Sequence, residues 1–178
     1  MRKLVFVVVS VVAAIVVFNL IRAVRSRPVE PIARDPGSVA PSNQLREVQA
    51  SPQYARGQKL FQGVCTLCHM EQGEGQPGMV PPLHGAPIAT GDGGAFVRIL
   101  LHGMEGPVEV KGTRYEGIMP PATFSSDEDL AAVMTFVRNS WGNAAGPVSP
   151  EDVAKVKGQT VGRTRSWTAS ELRALGGE

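Results

Sequence analysis

The pentapeptide Cys65-Thr66-Leu67-Cys68-His69 is the stretch of this sequence that decides the fold. Its spacing is typical of a covalent attachment site for c-type haem, in which two thiols form thioethers on one edge of the porphyrin. The short turn from Cys65 to Cys68 brings both sulfurs to one side, and His69 follows as the proximal nitrogen ligand of the iron. Because the chain contains 2 cysteines in all, the sequence predicts one covalently bound haem c.

Three other interpretations of Cys65, Cys68 and His69 account for the sequence less well than haem attachment does. A zinc site needs four ligands, and the remaining histidines, His84 and His102, are too widely spaced to complete one. A thioredoxin-like dithiol would stand beside a strand of a βαβ unit, and the surrounding sequence shows no such pattern. A structural disulfide gives no reason for His69 to follow Cys68 directly.

The charge of the chain is distributed unevenly. The net charge is +2, but residues 51–145 carry 6 Lys and Arg against 9 Asp and Glu. A nucleic-acid partner would require a clustered basic face, so this distribution argues against nucleic-acid binding. The 20 glycines and 14 prolines among 178 residues indicate one modest domain with much loop and some appendages.

An apolar stretch near the amino terminus predicts membrane attachment. Residues 4–21 are apolar apart from Ser10 and Asn19, and as a helix they would span roughly 27 Å. A cleaved signal peptide would have a shorter apolar region followed by small residues, whereas arginines follow here. We therefore predict that residues 1–21 form an uncleaved membrane anchor. Positive charge on both sides of it does not determine its orientation.

The remaining chain divides into three regions. Residues 22–50 contain four prolines and no apolar periodicity, which predicts a Pro-rich linker. Residues 51–145 are predicted to form the haem domain, and residues 146–178 a short helical C-terminal extension. No strong strand pattern is visible, and a helix over residues 95–102 would end at Gly103 with His102 as a capping or surface residue. Residues suited to begin helices are Ser51, Ser126, Ser149 and Thr168.

Further motifs accompany the pentapeptide. They are Gly57 and Phe61 before it, then Pro81-Pro82-Leu83-His84-Gly85, Tyr115-Glu116-Gly117-Ile118-Met119-Pro120, and a closing helix that reaches Trp141. With them, residues 54–143 resemble the bacterial class I mono-haem cytochromes c, many of which are membrane-anchored. The resemblance implies a mostly α, cytochrome c-like haem domain joined to an N-terminal transmembrane helix. It also implies that this domain lies on the periplasmic, outer face of the cytoplasmic membrane, where haem c is attached.

The resemblance implies that Met119 is the distal iron ligand. A thioether suits haem iron, and Pro120 and Pro121 would stiffen the loop that presents it. Met79, Met104 and His102 stay open as alternatives.

Other contacts with the haem are also implied by the resemblance. The carbonyl of Pro81 would accept a hydrogen bond from the second ring nitrogen of His69. Leu83 would pack on the haem, and Tyr115 would lie near the Met119 side. The candidates for contact with a haem propionate are Arg98, Arg114 and Trp141.

With His69 and Met119 both bound, the iron would have no open position for a substrate. We therefore predict a carrier of single electrons rather than an enzyme, serving the respiratory chain as a shuttle or as a cytochrome subunit that feeds a terminal oxidase. Its partners would be a respiratory complex, a dehydrogenase or a terminal oxidase. The alternative is a c-type haem enzyme or gas sensor with an open sixth position. In the C-terminal extension, Trp167 is the expected anchor.

Overall fold

The computed structural model describes residues 42–91 and 93–176. The helical segments in chain order are α1 (Ser42–Gln49), α2 (Pro52–Leu60), a π-helical turn (Phe61–Cys65), α3 (Thr66–His69), α4 (Pro87–Thr90), α5 (Gly93–His102), α6 (Asp127–Arg138), α7 (Pro150–Gln159) and α8 (Ala169–Ala174). Two antiparallel strands, β1 (Met104–Val110) and β2 (Thr113–Met119), lie between α5 and α6. The described part is therefore mostly α, as predicted.

The predicted anchor and most of the predicted linker lie outside the described residues. Within the part of the chain that is described, no helix is both long enough and apolar enough to cross a membrane. The carboxyl end of the predicted linker differs from expectation, because residues 42–49 form α1. Gln49 at the end of α1 donates from Nε2 to the carbonyl of Asn139 at 2.7 Å, so this segment contacts the domain.

The four predicted helix starts are confirmed, and in each one a side-chain oxygen accepts a hydrogen bond from the first helical turn. The four capping residues are Ser51, Ser126, Ser149 and Thr168. Full capping boxes form at the last two, with Asp152 and Glu171 as the reciprocal carboxylates. At Ser126 the carboxylate of Asp129 binds Arg56 at 2.7 Å instead, which joins the start of α6 to α2.

The crossing of α2 and α6 forms the centre of the core. A Cβ atom at Gly57 would collide with the carbonyl oxygen of Ala132 and lie 2.9 Å from Cβ of Phe136, so the helix backbones approach closely there. The apolar stripe of α6 is buried: Leu130, Val133, Met134 and Val137. These side chains and the buried Phe61 pack in the same cluster.

The hairpin of β1 and β2 corrects the sequence-based expectation, which contained no strand. Lys111 and Gly112 form its two-residue turn with φ of 51° and 75°, and two positive φ values are the geometry that closes a twisted hairpin. The sequence of β1 gives a weak strand signal because it contains Gly106 and Pro107, and both residue types are depleted in strands. Met119 therefore ends a strand rather than lying in a proline-stiffened loop.

The C-terminal extension packs on the domain. Helix α7 contacts α5 and α6, and α8 contacts β1. Trp167, which was expected to anchor the C-terminal extension, is buried. It belongs to a group of buried residues that we call the tail cluster: Ala95, Ile99, Met104, Trp167, Ala169 and Leu172. His102, which was expected to be a capping or surface residue, is half-buried at the end of α5. Burial and the nearby charge of Arg163 hold its pKa below the usual value.

Candidate haem site

A π-helical turn presents the first cysteine of the pentapeptide. The N–H of Thr66 donates to the carbonyl of Phe61, five residues earlier, which inserts one extra residue into the helical path. As a result Cys65 is half-buried and lines an apolar cavity, whereas Cys68 in α3 is exposed. Neither cysteine takes part in a disulfide, so both sulfurs are available for bonds to another group.

The cavity has two halves that share five lining residues: His69, Pro81, Met104, Val108 and Met119. The inner half is lined almost entirely by apolar side chains, as cofactor sites commonly are. Its further lining includes Cys65 and apolar side chains from α5, α6 and the hairpin, among them Phe96, Leu100, Val110 and Val133. The outer half reaches the surface and is lined in addition by Cys68, Met79, Tyr115, Ile118 and others.

His69 is oriented by a carbonyl. The residue is 8% exposed, and its Nδ1 lies 3.3 Å from the carbonyl oxygen of Pro81, the contact that the family resemblance implies. Burial holds the pKa of His69 below its usual value, and the hydrogen bond to Pro81 partly opposes this effect. A neutral ring that donates from Nδ1 keeps the lone pair of Nε2 for a metal ion.

The loop that carries this carbonyl depends on Gly75. Gly75 has φ of +69°, and a Cβ atom there would lie 2.7 Å from the carbonyl oxygen of Pro81. The N–H of Gly75 also donates to the carbonyl of His69 at 3.1 Å. The chain therefore folds back over α3 closely enough for Pro81 to reach the imidazole.

The surroundings of Cys65 favour an uncharged sulfur. Burial, and secondarily the neighbouring Cys68, raise the pKa of Cys65 to about 11. A thioether carries no charge and loses no favourable hydration in an apolar wall. The position therefore suits a sulfur that is covalently bound to an apolar group.

The distal candidates differ in where the fold places them. Met119 is half-buried and lines both halves of the cavity, and Met104, its cross-strand partner, is 9% exposed and does the same. Met79 is 68% exposed at the outer half. His102 lines neither half. The fold thus brings two thioethers to one wall, and the assignment of Met119 stays a prediction.

Leu83 lines the inner half and Tyr115 the outer half, and their contacts with the haem stay predictions. The three candidates for contact with a propionate line neither half of the cavity, and their role stays a prediction. Arg98 is buried and donates to Oε1 of Gln159 in α7 at 2.8 Å, and the exposed Arg114 pairs with Glu116 at 2.7 Å. Trp141 packs on Phe61 and Phe136 at centroid distances of 5.1 and 5.3 Å.

Asn143 is a positioning residue that the sequence did not reveal. It is buried, and its Oδ1 accepts from the N–H of Gly85 at 2.7 Å. Its Nδ2 donates to the carbonyls of Leu83 at 3.3 Å and Val137 at 2.8 Å. These bonds join the loop that lines the cavity to the end of α6. A polar residue shortly after the closing helix was the available signal, but its two partners in the cavity loop, Gly85 and Leu83, lie about 60 residues away.

An attachment motif whose imidazole and distal thioether candidates line one apolar cavity defines a c-type cytochrome domain. The comparisons with known proteins agree. A family model described as Cytochrome c matches residues 54–141. The chain is 34% identical over 131 residues to "Cytochrome c-552" of Thermus thermophilus. This match covers 68% of this chain and 98% of that protein. The chain belongs to the cytochrome c family, as a class I c-type cytochrome that carries electrons and binds haem c covalently.

Two further matches each cover a part of a larger protein. The chain is 30% identical over 132 residues to "Alcohol dehydrogenase (quinone), cytochrome c subunit" of Gluconobacter oxydans, a match that covers 64% of this chain and 24% of that subunit. A match to "Thiosulfate dehydrogenase" of Thiomonas intermedia is 47% identical over 45 residues and covers 23% of this chain and 14% of that protein.

Proposed function

We propose that this protein is a membrane-tethered mono-haem cytochrome that carries single electrons between respiratory-chain components. The haem domain lies on the periplasmic, outer face of the cytoplasmic membrane, held by an anchor in residues 1–21. The observation that carries the proposal is that Cys65, His69 and Met119 line the same apolar cavity. When bound there, haem c supplies an iron that takes up and releases one electron.

Each residue of the site has a separate task. Cys65 and Cys68 hold the haem by thioethers at two points, and His69 is the proximal ligand, oriented by its hydrogen bond to Pro81. Met119 is the distal ligand, which leaves no position for a substrate. Leu83 and the other apolar residues of the wall exclude water, and a low local polarity helps set the redox potential.

The outer half of the cavity is the proposed contact surface for redox partners. Ile118 and Met79 line it and are 77% and 68% exposed, and Leu67 of the pentapeptide is 83% exposed. A small apolar surface of this kind suits the weak and brief encounters of electron-transfer proteins. One relative is the cytochrome c subunit of a dehydrogenase and another is a dehydrogenase, and both support a partner of the dehydrogenase class. The electron acceptor is a terminal oxidase or another respiratory complex.

Replacing Met119 by Ala tests the assignment of the distal ligand. We expect the haem to stay attached, because Cys65, Cys68 and His69 are unchanged, while the far-red absorption band of a Met-ligated ferric haem disappears and the reduction potential falls. The matched control is Met79→Ala, which removes an exposed thioether at the same cavity and should keep the band.

Two results would contradict the proposal. If Met119→Ala keeps the band and Met104→Leu removes it, Met104 is the ligand. If the unaltered ferric protein lacks the band and has a high-spin spectrum, the sixth position is open, as in a c-type haem enzyme or gas sensor.

A further inference from the structure

We propose that the C-terminal extension supports the distal wall from outside the cavity, with Trp167 as a positioning residue that holds Met119 in place by way of Met104. This inference rests on the proposed role of Met119 as the distal ligand. It gives the extension a role in the strength of iron ligation, in addition to its packing on the domain.

The backbone supplies the first step. On one edge of β1, Met104 pairs with Met119 of β2. On the other edge, Met104 forms a parallel bridge with Trp167. The N–H of Trp167 donates to the carbonyl of Gly103 at 3.0 Å, and its carbonyl accepts from the N–H of Glu105 at 2.8 Å. The three residues therefore lie side by side across three neighbouring chain segments.

The side chains supply the second step. Met104 and Trp167 are 9% and 8% exposed, and both belong to the tail cluster, in which Leu172 of α8 is also buried. Met119 is half-buried and packs against two groups of buried side chains. One is the tail cluster, and the other is the larger cluster at the crossing of α2 and α6, which we call the main core. Directly opposed residues in an antiparallel pair share one face, so Met104 lies next to Met119 at the cavity wall.

The position of Trp167 is itself held by charged groups. The guanidinium of Arg163 lies 3.4 Å from the centroid of the indole ring, a cation–π contact. Arg163 also pairs with Glu171 at 2.9 Å, and Glu171 caps α8 through the N–H of Thr168 at 3.0 Å. These contacts link both ends of the segment that carries Trp167, so they hold the indole ring in its position.

Met119 needs such support because it is the last residue of its strand. Pro120 follows it and has no N–H to donate, and the next backbone anchor is the N–H of Ala122, which donates to the carbonyl of Leu100 at 2.8 Å. If Trp167 is lost, β1 and the end of β2 can move away from the cavity more easily. An external ligand should then displace the Met119 thioether more readily.

The test is an imidazole titration of the ferric, full-length holoprotein, followed by the far-red band of Met ligation. We expect Trp167→Ala to bind imidazole about tenfold more tightly than the unaltered protein, within the range of indirect couplings between packed residues. Trp167→Phe keeps an aromatic ring in the tail cluster and should give an intermediate affinity. The control is Val153→Ala, which removes a fully buried side chain of α7 from the main core and should leave the affinity unchanged.

Equal imidazole affinities in Trp167→Ala and Val153→Ala would overturn the inference, because Trp167 would then affect stability alone. Should Trp167→Ala fail to accumulate with haem, Met104→Ala tests the same contact with the extension intact. It should also bind imidazole more tightly, while Met104→Leu restores the original affinity. An unchanged affinity in Met104→Ala would equally overturn the inference.

Failure of the proposed function gives a different result. In a Met119→Ala background there is no thioether to displace, so adding Trp167→Ala should not change imidazole affinity further. If Met119→Ala alone keeps both the far-red band and the original imidazole affinity, the ligand assignment is wrong. A Trp167 effect that persists unchanged in that background would show that the extension acts on access to the iron and not on Met119.

Discussion

The two cysteines of the pentapeptide differ in their surroundings although they are three positions apart. Cys65 is half-buried in the wall of the cavity and burial raises its pKa to about 11, whereas Cys68 is exposed. The described wall around Cys65 is mainly apolar, and it suits an apolar partner. The second thioether, at Cys68, would form at the surface of the domain.

We expect Cys65→Ala and Cys68→Ala each to reduce covalent haem and the amount of folded protein strongly. The domain is small, and a cofactor that binds the native state alone stabilises it against unfolding. A haem stain after denaturing electrophoresis measures the covalent haem. Leu67→Ala is the matched control, because Leu67 lies between the cysteines and is 83% exposed. Full haem content in either cysteine variant would contradict the attachment site.

At the scale of secondary-structure elements, the crossing of α2 and α6 positions the pentapeptide. Helix α2 leads through the π-helical turn into α3, so the angle at which α2 crosses α6 determines where Cys65 and His69 stand. The close approach at Gly57 and the ring of aromatic side chains around Phe136 fix this crossing.

Gly57→Ala should lower the free energy of unfolding by about 1–3 kcal/mol, because the added methyl group collides with the backbone at Ala132 and cannot be accommodated without moving a helix. Guanidinium unfolding of the holoprotein measures the change. The control is Gly63→Ala in the π-helical turn, where a Cβ atom meets nothing within 4 Å. If the two variants are equally stable, the crossing is more adaptable than the packing indicates.

Helix α8 should respond to acid through Glu171. The N–H of Thr168 and, to a smaller extent, the guanidinium of Arg163 hold the pKa of Glu171 below its usual value. A carboxylate with a lowered folded pKa stabilises the native state above its unfolded pKa of about 4.3, and this contribution is lost as the pH falls through the folded pKa.

The difference in melting temperature between the unaltered protein and Glu171→Gln should therefore be present at pH 7 and disappear in acid. Thermal unfolding across a pH series measures it. Glu151→Gln, which removes one exposed carboxylate from the first turn of α7, is the control for the loss of a negative charge. A Glu171→Gln difference that is constant with pH would contradict the proposed role of the charge.

At the scale of the whole molecule, the proposed tether and the haem domain have separate tasks. Deleting residues 1–27 and supplying a cleavable export signal should release a soluble protein with a normal spectrum, because the described haem cavity is lined by residues 61–137. Electron delivery to a membrane partner in intact cells should fall, since the tether raises the effective concentration near the bilayer. Cell fractionation and respiration rates measure both effects. A deletion variant that stays in the membrane fraction would point to the C-terminal extension as a docking element.

The charge of the haem domain leads to a second prediction at this scale. Residues 51–145 carry 9 acidic against 6 basic side chains, so partners with basic surfaces should associate more slowly as salt screens the attraction. Stopped-flow measurement of electron transfer at increasing ionic strength, with the soluble variant, tests this. A rate that does not depend on salt would show that the acidic excess does not guide docking.

The sequence by itself determined the features that depend on neighbours along the chain. The spacing from Cys65 to His69 predicts the cofactor, and the caps at Ser126, Ser149 and Thr168 predict helix starts that the structure contains. Each of these signals acts within three or four residues, because a hydrogen-bonded turn closes over that distance. The family resemblance added the expected contact between His69 and Pro81.

The tertiary structure alone decided the contacts between distant segments. The hairpin, the alignment of Met119 with Met104 and Trp167, and the hydrogen bond from Arg98 to Gln159 had no local signal. A buried cation forms a hydrogen bond with an acceptor that the folded chain places within reach. A strand pairs with whichever neighbouring segment the fold places along its edge. Such partners depend on how whole elements pack, so spacing within one segment does not reveal them.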